Sequence, residues 1–140
     1  MGMFTQKSNK IETVYIAGLL TPRGVWSKNL AIDHLINQRK MIRAALDAFF
    51  AGYDPFVPAF DHQFWMVMNE GEVITESMIK RYSKSWLKRC DAMILTPKWQ
   101  QSTGTLAEIE LAKELNIPVF ESLDKLIEYD KEQHEIKSKN

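Results

Sequence analysis

The 140-residue sequence contains a single cysteine, no excess of charge and no long apolar run. Each absence excludes something. One cysteine, Cys90, forms no disulfide within the chain, which removes the cross-linked secreted scaffold from consideration. Eighteen basic residues balance eighteen acidic ones. That balance argues against a protein that grips nucleic acid or an anionic membrane over its whole surface. No stretch approaches the roughly 18 apolar residues of a membrane span. The segment Met1 to Lys10 is polar and has no signal-peptide core, so the sequence predicts a cytoplasmic protein. There is no G-x-x-x-x-G-K phosphate loop, and Gly18 does not open a G-x-G-x-x-G fingerprint, which argues against ATP-driven chemistry. His34, His62 and His134 have no metal-ligand spacing with one another or with Cys90; neither a metal site nor a cofactor is predicted.

What is present is an ordinary domain's worth of core. Apolar residues make up 45% and charged residues 26%, enough to bury an interior without cross-links. Thr13 to Gly18 is a short β-rich run ending in glycine, read as a buried first strand. Leu30 to Ala51 carries apolar residues at helical spacing (Leu30, Leu35, Met41, Ile42, Ala45, Leu46, Phe49), and Gly52 stands where a helix cap belongs. Further strands are read at 54–57, 91–96 and 117–120, and further helices at 75–89, 105–115 and 122–135, the last capped by Ser122. Residues 59–72 have no clean period and suit a loop or a short helix. Strict β-α alternation predicts a single-domain α/β fold: a parallel sheet of four to five strands, flavodoxin/Rossmann-like, with helices on both faces. The expected boundaries are a disordered start at 1–11, the domain at 12–136 and a disordered tail at 137–140.

In such sheets ligands bind beyond the C-terminal strand ends. The segments to watch therefore follow the strands: Ala17-Gly18-Leu19, Pro58 to His62 and Thr96 to Glu108. The richest is Trp99-Gln-Gln-Ser102-Thr103-Gly104-Thr105-Leu-Ala-Glu108, a polar loop running into a helix. Free backbone N–H groups and the helix dipole attract an anion there. Gly104 lets backbone approach a ligand closely, Ser102 and Thr103 add hydroxyls, and Glu108 follows about a turn later. A second reading stays open: Thr105-x-x-Glu108 fits a capping box, in which Glu108 only closes the helix start.

The ordered set Tyr15-Ile-Ala-Gly18, Gly52-Tyr-Asp-Pro-Phe-Val-Pro58, Cys90-Asp-Ala-Met-Ile-Leu95, Trp99-x-x-Ser102-x-Gly104-x-x-x-Glu108-x-x-x-Ala112 and Asn116-Ile-Pro-Val119 resembles the nucleoside 2-deoxyribosyltransferase superfamily over residues 13–120. That superfamily includes the 2'-deoxynucleoside 5'-phosphate N-hydrolases and a phage and bacterial branch of unknown function, which this chain resembles most. The resemblance implies cleavage or transfer at an N-glycosidic bond. The family glutamate maps to Glu108, as nucleophile at C1', and the family tyrosine maps to Tyr15, as its orienter. Serine at 102, where the transferases carry an acid, implies a 5'-phosphorylated ligand, with Gly18, Ser102 and Gly104 around it. The family's leaving-group acid maps to Ser83, which is no acid; Asp61 or His62 is a stand-in. The family's habit of association implies a homo-oligomer, a dimer or larger.

Other residues carry two readings each. Trp99 either stacks on a nucleobase or caps the core under its loop. Trp26, His62, Phe64 and Trp65 either line a base pocket or form an association surface. Asp91 either takes part in a site or satisfies backbone groups at the start of its strand. Lys80, Lys84 and Lys88 share a helix face within an acid-free run at 80–89, which is either solvated or attracts phosphate or nucleic acid. The expected partner is a small nucleotide or nucleoside, not a membrane and not nucleic acid. Two other functions stand against N-glycosidic chemistry: a nucleotide-binding module without turnover, and a nucleic-acid-associated accessory protein.

Overall fold

The computed structural model describes residues 10–20, 30–58 and 63–139. Along the chain these form β1 (Thr13–Ala17), α1 (Leu30–Phe50), β2 (Asp54–Phe56), α2 (Gln63–Met66), α3 (Glu76–Leu87), β3 (Ala92–Leu95), α4 (Thr103–Glu114), β4 (Val119–Phe120) and α5 (Leu123–Lys139). The four strands make one parallel sheet in the order β2-β1-β3-β4. The α/β fold with a parallel sheet is thus as the alternation predicts, at four strands. α5 continues to Lys139, past the expected domain end at 136.

Strand side chains alternate between the two faces of a sheet, and here each set meets its own helices. Val14 and Ile16 of β1, with Ala92 and Ile94 of β3, pack with Met41, Ala45 and Ala48 of α1 and Leu126 of α5. Tyr15 and Ala17, with Met93 and Leu95, pack with Leu87 of α3 and Ile109 and Ala112 of α4. Each fully buried Ile or Leu in these clusters contributes roughly 1.5–3 kcal/mol. Cys90 is buried in the second cluster, as a small apolar residue would be.

Asp91 joins the two central strands at their N-terminal ends. Its Oδ2 accepts hydrogen bonds from the backbone N–H groups of Glu12 (2.9 Å) and Thr13 (3.0 Å), the structural one of its two readings. Gly52 follows α1 at φ +100°, a conformation that favours glycine, and turns the chain into β2. α1 buries only part of the apolar set read at helical spacing. Met41, Ala45 and Ala48 form its buried stripe, while Leu35, Leu46 and Phe49 are exposed. The small alanines let the helix lie close to the sheet, and the bulkier residues fall outside that stripe.

Candidate functional site

The chain leaves β1 through α1 toward one side of the sheet and leaves β3 through α4 toward the other. The adjacent C-terminal ends of β1 and β3 are therefore a topological switch point, where a crevice opens. A cavity of about 520 Å³ lies there, within the roughly 300–1,000 Å³ range of small-molecule sites. Gly18, at the end of β1, lines it together with Ser102, Gly104 and Glu108 of the α4 entrance. Ser83 and Lys84 of α3 line it as well.

Gly18 has no room for a side chain. A Cβ built on it would lie 1.6 Å from Oγ1 of Thr96, the residue after β3. Thr96 is itself fixed, because its N–H donates to the Ala17 carbonyl at 2.9 Å. On the other side, the buried Thr105 hydroxyl donates to the Gly18 carbonyl at 3.0 Å.

The α4 entrance overturns the capping-box reading. Ser102, in extended conformation, is the N-cap, and its Oγ accepts from the Thr105 N–H at 3.1 Å. Thr105 lies inside the helix with its hydroxyl committed to Gly18. Glu108 is then six residues past the cap, too deep to close it, and it lines the cavity instead. Because the Ser102 oxygen acts as acceptor in the cap, its hydroxyl hydrogen is left for a donor role.

Glu108 is half-buried, with Oε2 shut off from solvent. Behind it lies Tyr15, fully buried, its hydroxyl without a hydrogen bond of full geometry. Burial first, and then the Glu108 side chain, push the Tyr15 phenol far above its ordinary range; Ser83 pulls weakly the other way. Tyr15 is therefore a neutral O–H that bears on the Glu108 carboxylate, and Ser83 belongs to the same cluster.

Residues 12–121 match the family described as a domain of unknown function, DUF4406. This chain belongs to the DUF4406 family. No curated protein matches it in sequence.

In this DUF4406 chain the structure brings together four of the residues read from sequence, Gly18, Ser102, Gly104 and Glu108, around one cavity, with Tyr15 directly behind. Trp99 is elsewhere. It sits on a one-turn 3-10 segment, half-buried against the core cluster under α4, and does not line the cavity. Asp61, His62 and Trp26 lie outside the described residues. Phe64 and Trp65 are on the exposed α2, where Phe64 meets Tyr82 edge-on at 5.9 Å. Of the basic face of α3, the exposed Lys80 and Lys84 are among the residues that line the cavity, and Lys88 is not. Sequence reading gave Thr96 and Thr105 no part in holding the site. The α3 wall had a signal: Glu76, Lys80, Ser83 and Leu87 are spaced as one helix face, and buried Leu87 points that face at the sheet. Among the described residues no group of three His, Cys, Asp or Glu is arranged to hold a metal ion, and no helix is long and apolar enough to cross a membrane.

Proposed function

We propose that this protein cleaves, or transfers at, the N-glycosidic bond of a (deoxy)nucleoside 5'-monophosphate, with Glu108 as nucleophile. One observation carries the reading: a half-buried carboxylate backed by a buried, neutral tyrosine hydroxyl faces a ligand-sized cavity beside a helix N-terminus. The sequence resemblance to the nucleoside 2-deoxyribosyltransferase superfamily assigns these residues the same parts.

In the reaction the Glu108 carboxylate forms a bond to C1' of the sugar as the bond from C1' to the base nitrogen breaks. A carboxylate at this position stabilises the oxocarbenium-like transition state and divides one hard step into two. The base departs with the bonding electron pair and takes up a proton. Water, or a second base, then attacks C1' of the glycosyl ester, the ester bond breaks, and Glu108 returns as carboxylate. Tyr15 donates its hydroxyl hydrogen toward the carboxylate and fixes its orientation. The N–H groups at the start of α4 and the Ser102 hydroxyl suit the 5'-phosphate.

A second reading, a nucleotide-binding module without turnover, is favoured by Ser83. Where a leaving-group acid would stand, the cavity wall carries a hydroxyl that is no acid at neutral pH. The decisive experiment incubates the protein with each ribo- and deoxyribonucleoside 5'-monophosphate and follows free base by chromatography, with thermal shift on the same samples. Base release that disappears in Glu108→Ala supports catalysis. Release that survives the substitution refutes Glu108 as nucleophile. Stabilisation without release supports the binding module.

A further inference from the structure

A phosphate that enters this cavity meets the Glu108 carboxylate, and like charges in a cleft repel strongly because low-dielectric walls screen them poorly. A site for a phosphorylated ligand therefore needs a cation on the wall as well as helix N–H groups. α3 presents two lysines to the cavity, one helical turn apart, Lys80 and Lys84. Lys80 is engaged: its Nζ lies 3.1 Å from Oε1 of Glu76, another residue of the same wall, so this pair adds little net charge. Lys84 makes no ion pair among the described residues. Among the described lining residues it is the positive charge without an ion-pair partner. Across the space stands the twelve-residue α4, opening with Ser102, Thr103 and Gly104, all three in the lining. Tyr15, fully buried and with its hydroxyl not hydrogen-bonded in full geometry, lies next to two of the lining residues, Glu108 and Ser83. The lining thus joins the Glu108 carboxylate and the neutral Ser83 hydroxyl to the α4 entrance and the Lys84 ammonium.

We propose that Lys84 is the specificity-determining cation of this cavity, selecting ligands with a terminal phosphate over their unphosphorylated counterparts. The inference rests on the nucleotide reading above and extends it to a residue on a different element. A lysine acts on phosphate as a flexible point charge. Its contribution falls as salt rises, because the side chain is exposed.

The test is titration calorimetry at low salt with 2'-deoxyguanosine 5'-monophosphate, 2'-deoxyguanosine and inorganic phosphate, repeated with the adenine, cytosine and thymine pairs. The proteins are the unsubstituted chain, Lys84→Ala, Lys84→Glu and Lys88→Ala, the last an exposed lysine of the same run outside the cavity. The expected result is a nucleotide-over-nucleoside preference that drops about 5- to 10-fold in Lys84→Ala and further in Lys84→Glu, with nucleoside affinity unchanged. Lys88→Ala keeps the preference, and added salt erodes it. Three results overturn the proposal: a preference unchanged in both Lys84 variants, no preference in the unsubstituted protein, or inorganic phosphate binding as tightly as the nucleotide. In the first two cases nucleoside or nucleotide binding still stands. If neither nucleoside nor nucleotide binds at all, the nucleotide reading falls with it.

Discussion

The hydroxyl of Thr105 donates to the carbonyl of Gly18 at 3.0 Å in a fully buried contact, and so ties the first turn of α4 to the end of β1. This bond and the Ser102 cap together fix the first turn of α4, from which Ser102, Gly104 and Glu108 line the cavity. Thr105→Val keeps the shape and removes the donor, leaving a buried carbonyl unsatisfied. The cost is about 1–3 kcal/mol, read by denaturant unfolding. Thr105→Ser, which keeps the hydroxyl, restores most of the loss. Equal destabilisation by both substitutions would mean that packing of the methyl group, not the hydrogen bond, joins the elements.

Gly18 and Thr96 form the complementary constraint. With a Cβ at 18 placed 1.6 Å from Thr96 Oγ1 and 2.9 Å from Thr96 Cβ, the ends of β1 and β3 must separate in Gly18→Ala. Overpacking of this kind costs about 1–3 kcal/mol or more. Adding Thr96→Ala removes the nearer clash and leaves the milder Cβ contact at 2.9 Å, so the double variant recovers part of the stability. A double-mutant cycle measures the coupling. Additive losses would show that the two residues do not meet.

Much of this was legible in the sequence because the signals were local. Strand and helix periods gave the alternation, Gly52 the end of α1, and Ser122 the start of α5. The segment Ser102 to Glu108 was readable as a helix start after the third strand, and it lines the cavity there. What escaped depended on contacts between distant parts of the chain. Thr105 and Glu108 have capping-box spacing, and only the buried Gly18 carbonyl, 87 residues away, decides that Thr105 is spent elsewhere. Trp99 is equally ambiguous, since an indole after a strand serves a base or a core, and here the core claims it. The apolar spacing of α1 does not by itself say which residues are buried, because Leu46 and Phe49 count as heavily as Met41 and Ala45. In the folded chain the alanines allow the close approach to the sheet.

Alkaline pH probes a second region. The Tyr53 hydroxyl donates to Oδ2 of Asp130 at 2.8 Å, linking the start of β2 to α5. Burial, then the hydrogen bond to Asp130 and its charge, push the phenol up to about 12. Unfolded, it titrates near ~10. The folded state therefore holds a proton that the unfolded state has lost, and stability falls as pH rises between these values. Below the unfolded pKa the contribution is complete. Tyr15 is shifted in the same direction and prolongs the decline. Tyr53→Phe should flatten the pH dependence of unfolding free energy between about pH 10 and 12, while costing about 1–2 kcal/mol at neutral pH. An unchanged alkaline slope would assign the decline to other groups.

Variants of Glu108 and Tyr15 test the proposed reaction against a purely structural role. Glu108→Gln preserves volume and removes the proposed nucleophile. If the proposed N-glycosidic reaction holds, base release should fall by on the order of 10³-fold or more while nucleotide affinity persists. Tyr15→Phe removes an O–H that makes no hydrogen bond of full geometry in the folded state. Its stability should therefore stay within about 1 kcal/mol of the unsubstituted protein. Its turnover should nonetheless drop, by up to about 10²-fold, because the carboxylate loses the group that orients it. The measurement pairs unfolding curves with kcat and KM for base release, and the drop should appear in kcat. A Tyr15→Phe protein that keeps full kcat would leave the tyrosine as a core residue only. One that unfolds easily would show that the hydroxyl holds the sheet, not the glutamate.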